Sequence, residues 1–224
     1  MGRALRTDVG DHVYHVLNRA NARSTLFKKK ADYELFERVL GEAKERVGMR
    51  VLAYVVMPNH WHLVLYPQQD GDLSKFVNWL TLTHTQRWHS MHNTIGHGHL
   101  YQGRYKSFLC EEDSHFIQLV RYVERNPLRA NLVKRVDDWR WGSAWRRTKG
   151  TPEQKKLLDQ WPVPIPRSYA TLLHEPQSSE EVEALRRAIT RGSPYGSDAW
   201  MEKTVTKFKL ETTVQARGRP KKGS

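Results

Sequence analysis

Met57-Pro58-Asn59-His60-Trp61-His62-Leu63-Val64-Leu65-Tyr66 is the stretch on which the reading of this chain turns. Its Val, Leu and aromatic content, bounded by Pro58 and Pro67, predicts a β-strand over His60 to Tyr66. Side chains alternate faces along a strand, so His60 and His62 share one face while Trp61, Leu63 and Leu65 share the other. Two imidazoles a two-residue step apart can grip one divalent ion, and Trp61 with its neighbours anchors the strand in a core. Eleven histidines in 224 residues make a chance His-x-His pair common enough that its meaning depends on the rest of the chain.

Upstream, Arg50 to Val56 predicts another strand, and the short Met57-Pro58-Asn59 link predicts an antiparallel hairpin. Asp11 to Arg19 predicts a first strand, with Val13, His15 and Leu17 on one face. Between them, Asp32 is the expected cap of an amphipathic helix reaching about Val47, with Leu35, Phe36, Val39, Leu40, Ala43 and Val47 in one stripe and Gly48 as its stop. Downstream, Asp70-Gly71-Asp72 opens a second helix carrying Leu73, Phe76, Val77 and Leu80 at core spacing. His89 to His99 reads as a loop whose four histidines (His89, His92, His97 and His99) lie among flexible glycines without a cysteine, a solvated loop rather than a zinc site. Leu100 to Leu109 predicts a fourth strand or extended arm, with Gly103 as a bulge.

The order strand, helix, strand, strand, helix, strand predicts an α+β fold with a ferredoxin-like antiparallel sheet and helices packed on it. The face holding His60 and His62 then needs a cover. The next helix supplies it, with Asp113 or Ser114 as cap, Phe116, Leu119, Val120 and Val123 as its stripe, and Pro127 as its end. Tyr122 and Asn126 fall in its last turn at i,i+4, bordering that stripe.

Composition narrows the function. Lys and Arg number 37 against 24 acidic residues, a net charge of +13 and a pI near 9.9, which favours a polyanionic partner, usually nucleic acid. No apolar run reaches the length of a membrane span or signal-peptide core, so no membrane role is expected. Cys110 is the sole cysteine, which excludes an intramolecular disulfide and a cysteine-based zinc site and makes a cytoplasmic protein the expectation.

If the helix lays Tyr122 and Asn126 over the histidines, His60, His62 and the Asn126 amide oxygen form a three-ligand site with open positions. A nitrogen and oxygen shell without thiolate suits Mg²⁺ or Mn²⁺, the two imidazoles tilting it toward Mn²⁺. Such a metal would act as a Lewis acid on a phosphodiester. A free phenol titrates near pH ~10, and a nearby dication would favour the phenolate as nucleophile. The product, a covalent phosphotyrosine, keeps the phosphodiester energy for rejoining without ATP.

The segments MPNHWHLV, LYQGRYKSF, RYVERNPLRANLV and WRWGSAW, in that order, resemble the REP-associated tyrosine transposases. These belong to the single-tyrosine HUH (His, hydrophobic, His) transposases, and the resemblance spans roughly residues 10 to 147. It implies a nuclease domain that binds and cleaves folded palindromic repeats of single-stranded DNA with a divalent metal and one tyrosine. By that resemblance His60 and His62 stand at the HUH pair, Tyr122 at the nucleophile and Asn126 at the third ligand, a glutamine in the wider group. Arg104, Tyr105 and Lys106 would contact the DNA strand, an exposed strand edge being the plainer alternative. Asn131 departs from a frequent glycine and Gly142 from a usual serine. Tyr101, Tyr105 and Glu124 stand as alternative nucleophiles and ligands should the helix be rotated.

The expected organisation is a nuclease domain over residues 1–147, a Pro-containing linker over 148–168, a small helical appendage over 169–216 that could bind DNA, and a basic tail over 217–224. Arg217, Arg219, Lys221 and Lys222 in that tail resemble an AT-hook, with non-specific electrostatic affinity as the alternative. The combined expectation is a metal-dependent single-stranded DNA endonuclease and strand transferase, cytoplasmic and nucleoid-associated. A repeat-DNA-binding protein that does not cut is the rival from another class. Monomer and homodimer are both open.

Overall fold

Four apolar alternating segments build the centre of the molecule: β1 (Val13–Arg19), β2 (Arg50–Met57), β3 (His60–Tyr66) and β4 (Lys106–Cys110). The computed structural model describes residues 7–96 and 98–215, and the tail residues Arg217, Arg219, Lys221 and Lys222 lie outside them, as does His97. The strands form one antiparallel sheet in the order β2-β3-β1-β4, so β3 is internal and hydrogen-bonded on both edges. With α1 (Lys30–Val47) between β1 and β2, and α2 (Asp72–Met91) between β3 and β4, this is the ferredoxin-like arrangement that the element order predicts.

The ends of the helices show how side chains set the boundaries. Asp32 caps α1 from inside rather than preceding it: its carboxylate accepts the backbone N–H groups of Lys28 and Lys29, both at 2.8 Å. At the far end Gly48 takes a φ of +71°, the left-handed conformation that glycine adopts without a Cβ penalty. α2 continues to Met91, past the expected start of the histidine loop. The Thr81 and Thr85 hydroxyls donate back to the Val77 and Thr81 carbonyls, so these polar side chains are satisfied within the helix. His92 closes that end, stacking on Trp88 with centroids 4.0 Å apart and bonding Asp32 at 2.8 Å.

The sheet has a core on each face. Tyr14, Val16, Tyr54, Trp61, Leu63 and Leu65 pack against Phe36 and Leu40 of α1 and Phe76 and Leu80 of α2. The opposite face presents Val13, Leu52, Val55, Val64 and Phe108. It is covered by α3 (Ser114–Glu124), whose Phe116, Leu119, Val120 and Val123 are buried there. Asp113 caps α3 by accepting the His115 N–H at 2.7 Å. α3 ends at Arg125, and α4 (Asn126–Arg129) starts at once with Pro127 in its first turn, where the missing N–H costs no helical bond.

The chain then runs through α5 (Ser143–Lys149), α6 (Pro152–Lys155), α7 (Tyr169–His174), α8 (Ser179–Arg191), α9 (Asp198–Phe208) and α10 (Glu211–Val214). Leu173 of α7 and Leu185 and Ala188 of α8 join the second core. Glu124, at the end of α3, ties these elements together: its carboxylate accepts from Ser143, Arg147 and Tyr169. Between α6 and α7, Trp161 packs on Phe116 and Tyr169 and donates its indole N–H to the Leu52 carbonyl at 3.0 Å. Among the described residues no helix is long and apolar enough to cross a membrane.

This packing of Trp161 is measurable. Trp161→Ala is expected to lower unfolding stability by about 3–5 kcal/mol in urea titrations. A loss below about 0.5 kcal/mol, the range of ordinary surface changes, would mean that the segment around it adds little to the fold.

Candidate active site

Position on an internal strand fixes the two histidines. His62 pairs with Leu17 of β1 and Val55 of β2, and His60 pairs with Arg19 and Met57. Both rings rise on the face covered by α3, their centroids 5.1 Å apart. His62 is 4% exposed, and His60 sits nearer the rim.

Their hydrogen bonds decide which nitrogen is left for chemistry. The His60 Nδ1 lies 2.6 Å from the Asn59 Oδ1, an atom that can only accept, so Nδ1 carries the proton and Nε2 keeps its lone pair. The His62 Nδ1 lies 2.7 Å from the Nε2 of a third, buried imidazole, His15 of β1. Among the described residues neither His60 nor His62 uses Nε2 in a hydrogen bond. Burial keeps these rings neutral: desolvation, then Arg19, hold His60 down at about 4. His62 is held well below the ordinary imidazole value by desolvation first, then His15, His60, Arg129 and Arg19. Neutral imidazoles are what a metal requires of histidine ligands.

α3 brings Tyr122 to this pair. Its ring meets that of His62 edge-on, with centroids 6.2 Å apart. Tyr122 is 7% exposed, and its hydroxyl takes no hydrogen bond among the described residues. The Arg129 guanidinium lies 4.1 Å from the centre of its ring and donates to its backbone carbonyl. Desolvation, the largest influence on Arg129, lowers its pKa to about 10, so it stays charged at neutral pH.

Asn126 begins α4, one turn beyond Tyr122, and its amide nitrogen is buried without a hydrogen-bond partner among the described residues. Rotating the amide would place its oxygen, an acceptor, at that position. Two neutral imidazoles and an amide are donor types that suit a divalent metal. A second group of possible ligands, Glu111, Asp113 and His115, has its atoms within 4.8 Å of one another. It follows the far end of β4, away from Lys106, the residue whose partner Leu17 pairs with His62.

Other expected residues fall elsewhere. Tyr101 is buried on the opposite face, bonded to Trp61 at 3.1 Å and His84 at 2.8 Å. Tyr105 is also buried in that core, its hydroxyl 3.2 Å from the Ser74 hydroxyl. Glu124 is engaged by its three partners. Arg104 and Lys106 are exposed and line a cleft of about 530 Å³ with Arg19, Arg23, Ile189 and Thr190, so α8 of the C-terminal part forms one of its walls. Arg104 and Tyr105 also border a neighbouring cleft of about 610 Å³. Asn131 takes a φ of +54°, a conformation that asparagine tolerates in place of glycine. A Cβ at Gly142 would meet its neighbours at no less than 3.5 Å, so the departure there carries no steric demand.

Sequence reasoning did not single out His15, Arg19 or Arg129. Their signal was partial: alternation placed His15 on the face of Val13 and Leu17, but only the β1–β3 register brings it to His62.

Comparison with known proteins accords with this geometry. Residues 8–126, more than half of the chain, match the family described as Transposase IS200 like, and the chain belongs to that family. It is therefore a DNA-processing enzyme of the transposase type. The REP-associated tyrosine transposase of Escherichia coli (strain K12) is 24% identical over 131 residues, covering 56% of this chain and 72% of that protein. A solved structure of a REP-associated tyrosine transposase bound to a REP hairpin has the same fold, with a TM-score of 0.56 at 19% identity over 68% of this chain and 89% of that one.

The buried imidazoles predict acid sensitivity. Because folded-state values lie below the ordinary 6.5, the unfolded chain binds more protons, and stability falls as pH drops through that value toward about 4. In EDTA the urea midpoint should hold from pH 8 to 7 and decline from 6.5 to 5, above most carboxylate titration. A flat profile across that window would contradict the neutral buried rings.

Proposed function

We propose that this protein is a divalent-metal-dependent endonuclease and strand transferase acting on single-stranded, hairpin-forming DNA through a covalent phosphotyrosine. The observation that carries the reading is the pairing of Tyr122 with His62: a hydroxyl and an imidazole nitrogen, each unspent, on rings in contact beneath α3. Exposed cations along the cleft supply the means to hold a polyanion. DNA folded as a hairpin is the proposed substrate because a protein of this fold is solved with one.

When bound by His60, His62 and Asn126, a divalent ion supplies Lewis acidity at the scissile phosphate. The chain's own residues do the rest. Arg104 and Lys106 hold the strand by its backbone, and α3 keeps the Tyr122 ring against the histidine pair. Tyr122 gives up its proton to solvent water and attacks phosphorus; the oxygen–phosphorus bond to tyrosine forms, and the bond to the leaving sugar oxygen breaks. That sugar oxygen takes up a proton and departs as a hydroxyl. Attack of an incoming hydroxyl on the phosphotyrosine reverses the step and rejoins strands. Arg19 and Arg129, whose fields reach His62, lie where anionic charge needs compensation.

A labelled single-stranded hairpin from the protein's own genomic flank, incubated with Mg²⁺ or Mn²⁺, should yield a protein–DNA adduct on a denaturing gel. Tyr122→Phe should abolish it. Cutting that persists in Tyr122→Phe would assign the nucleophile elsewhere, and tight binding without cutting in either metal would favour the non-catalytic binder.

The strand contacts carry a separate expectation. Arg104→Ala and Lys106→Ala should each weaken binding to all single-stranded sequences and reduce the slope of log affinity against log salt by about 0.7. An unchanged slope would take those side chains out of the phosphate path.

A further inference from the structure

His15 is completely buried on β1, 1% exposed, and stacks on Phe108 with ring centroids 4.8 Å apart. Its Nε2 meets the His62 Nδ1 at 2.7 Å, while its own Nδ1 is buried without a partner. Nothing in the cutting step calls for an imidazole at this place, and a phenylalanine would satisfy the packing.

One proton is shared in that contact, which leaves two arrangements of neutral rings. If His15 donates from Nε2, His62 must carry its own proton on Nε2 and presents no lone pair to a metal. If His62 donates from Nδ1, its Nε2 lone pair is free and His15 is the acceptor. His60 already stands in the second arrangement, through Asn59.

We propose that His15 is a positioning residue of the metal site: it accepts the His62 Nδ1–H, thereby fixing the tautomer and the ring direction that leave Nε2 for the ion. The inference rests on the metal-site reading above. Ligating histidines commonly donate their second N–H to such a partner, and losing the partner typically costs 10–100-fold in metal affinity. An imidazole as acceptor is suited to a buried site because it brings no net charge under α3.

The test is Mn²⁺ affinity of the full chain, read from the spin-resonance signal of free Mn²⁺ in the absence of DNA. His15→Phe keeps the stacking on Phe108 but offers no acceptor, and should weaken binding about 10–100-fold. His15→Gln, whose side-chain oxygen can take the place of Nε2, should recover a large part of the loss. Wild-type affinity in a folded His15→Phe, or no recovery in a folded His15→Gln, would overturn the proposal. Should both variants fail to fold, ¹⁵N spectra of the Mg²⁺-loaded wild type decide: His15 Nε2 should be unprotonated and His62 Nδ1 protonated, and the reverse would refute it. His60→Ala and His62→Ala separate the two levels. If they bind Mn²⁺ as well as wild type, the metal-site reading itself fails; if they lose Mn²⁺ while His15→Phe keeps it, only the role of His15 fails.

Discussion

An imidazole removed from water is costly to charge, and this constraint shapes the face of the sheet under α3. His62 lies on an internal strand under a helix, where protonation is strongly disfavoured. β1 answers for one nitrogen by supplying His15 through the antiparallel register. The other makes no hydrogen bond among the described residues, and the ring meets that of Tyr122 edge-on. The strand order β2-β3-β1-β4 is what allows this, because it puts β1 beside β3 although α1 and β2 intervene in sequence.

The helix that carries Tyr122 is held as firmly as the histidines. Its apolar stripe seals the second core, and its polar edge is consumed by structure: Glu124 binds Ser143, Arg147 and Tyr169, while Arg121 and Arg125 donate to the Leu172, Glu175 and Leu173 carbonyls at the end of α7. Tyr122 is left among these spent groups with an unspent hydroxyl. A buried carboxylate with three donors is a satisfied structural group, and that is why Glu124 reads as a fixture of the fold rather than a ligand.

The sequence was legible where a local pattern met one dominant force. Alternation in β1 and β3, the stripes of α1 and α3 and the left-handed stop at Gly48 all follow from burial and backbone sterics, and the histidine faces follow with them. It was less legible where the stabilising partner is remote. The end of α2 is met by His92 reaching Asp32, 60 residues away. Tyr105 looked like a surface residue between Arg104 and Lys106, yet the arm entering β4 turns it into the core. His15 was visible as a face but not as a neighbour, since alternation carries no register. The amide of Asn126 shows the same boundary: its place after Tyr122 is local, but what it lacks is defined only by the tertiary surroundings.

The arginines at 121, 125 and 129 repeat every four residues and so form one row along α3 and α4. Two of them are stitched to α7 and the third rests on the Tyr122 ring. The row thus links the C-terminal helices to Tyr122 by short steps. In evolutionary terms the two parts are not free to drift apart: a change that unseats α7 releases two buried guanidinium groups next to the arginine that rests on Tyr122. Variation in the C-terminal helices would then be felt first at Tyr122, and lineages that exchange or lose those helices would have to rebuild this row before recovering an ordered site.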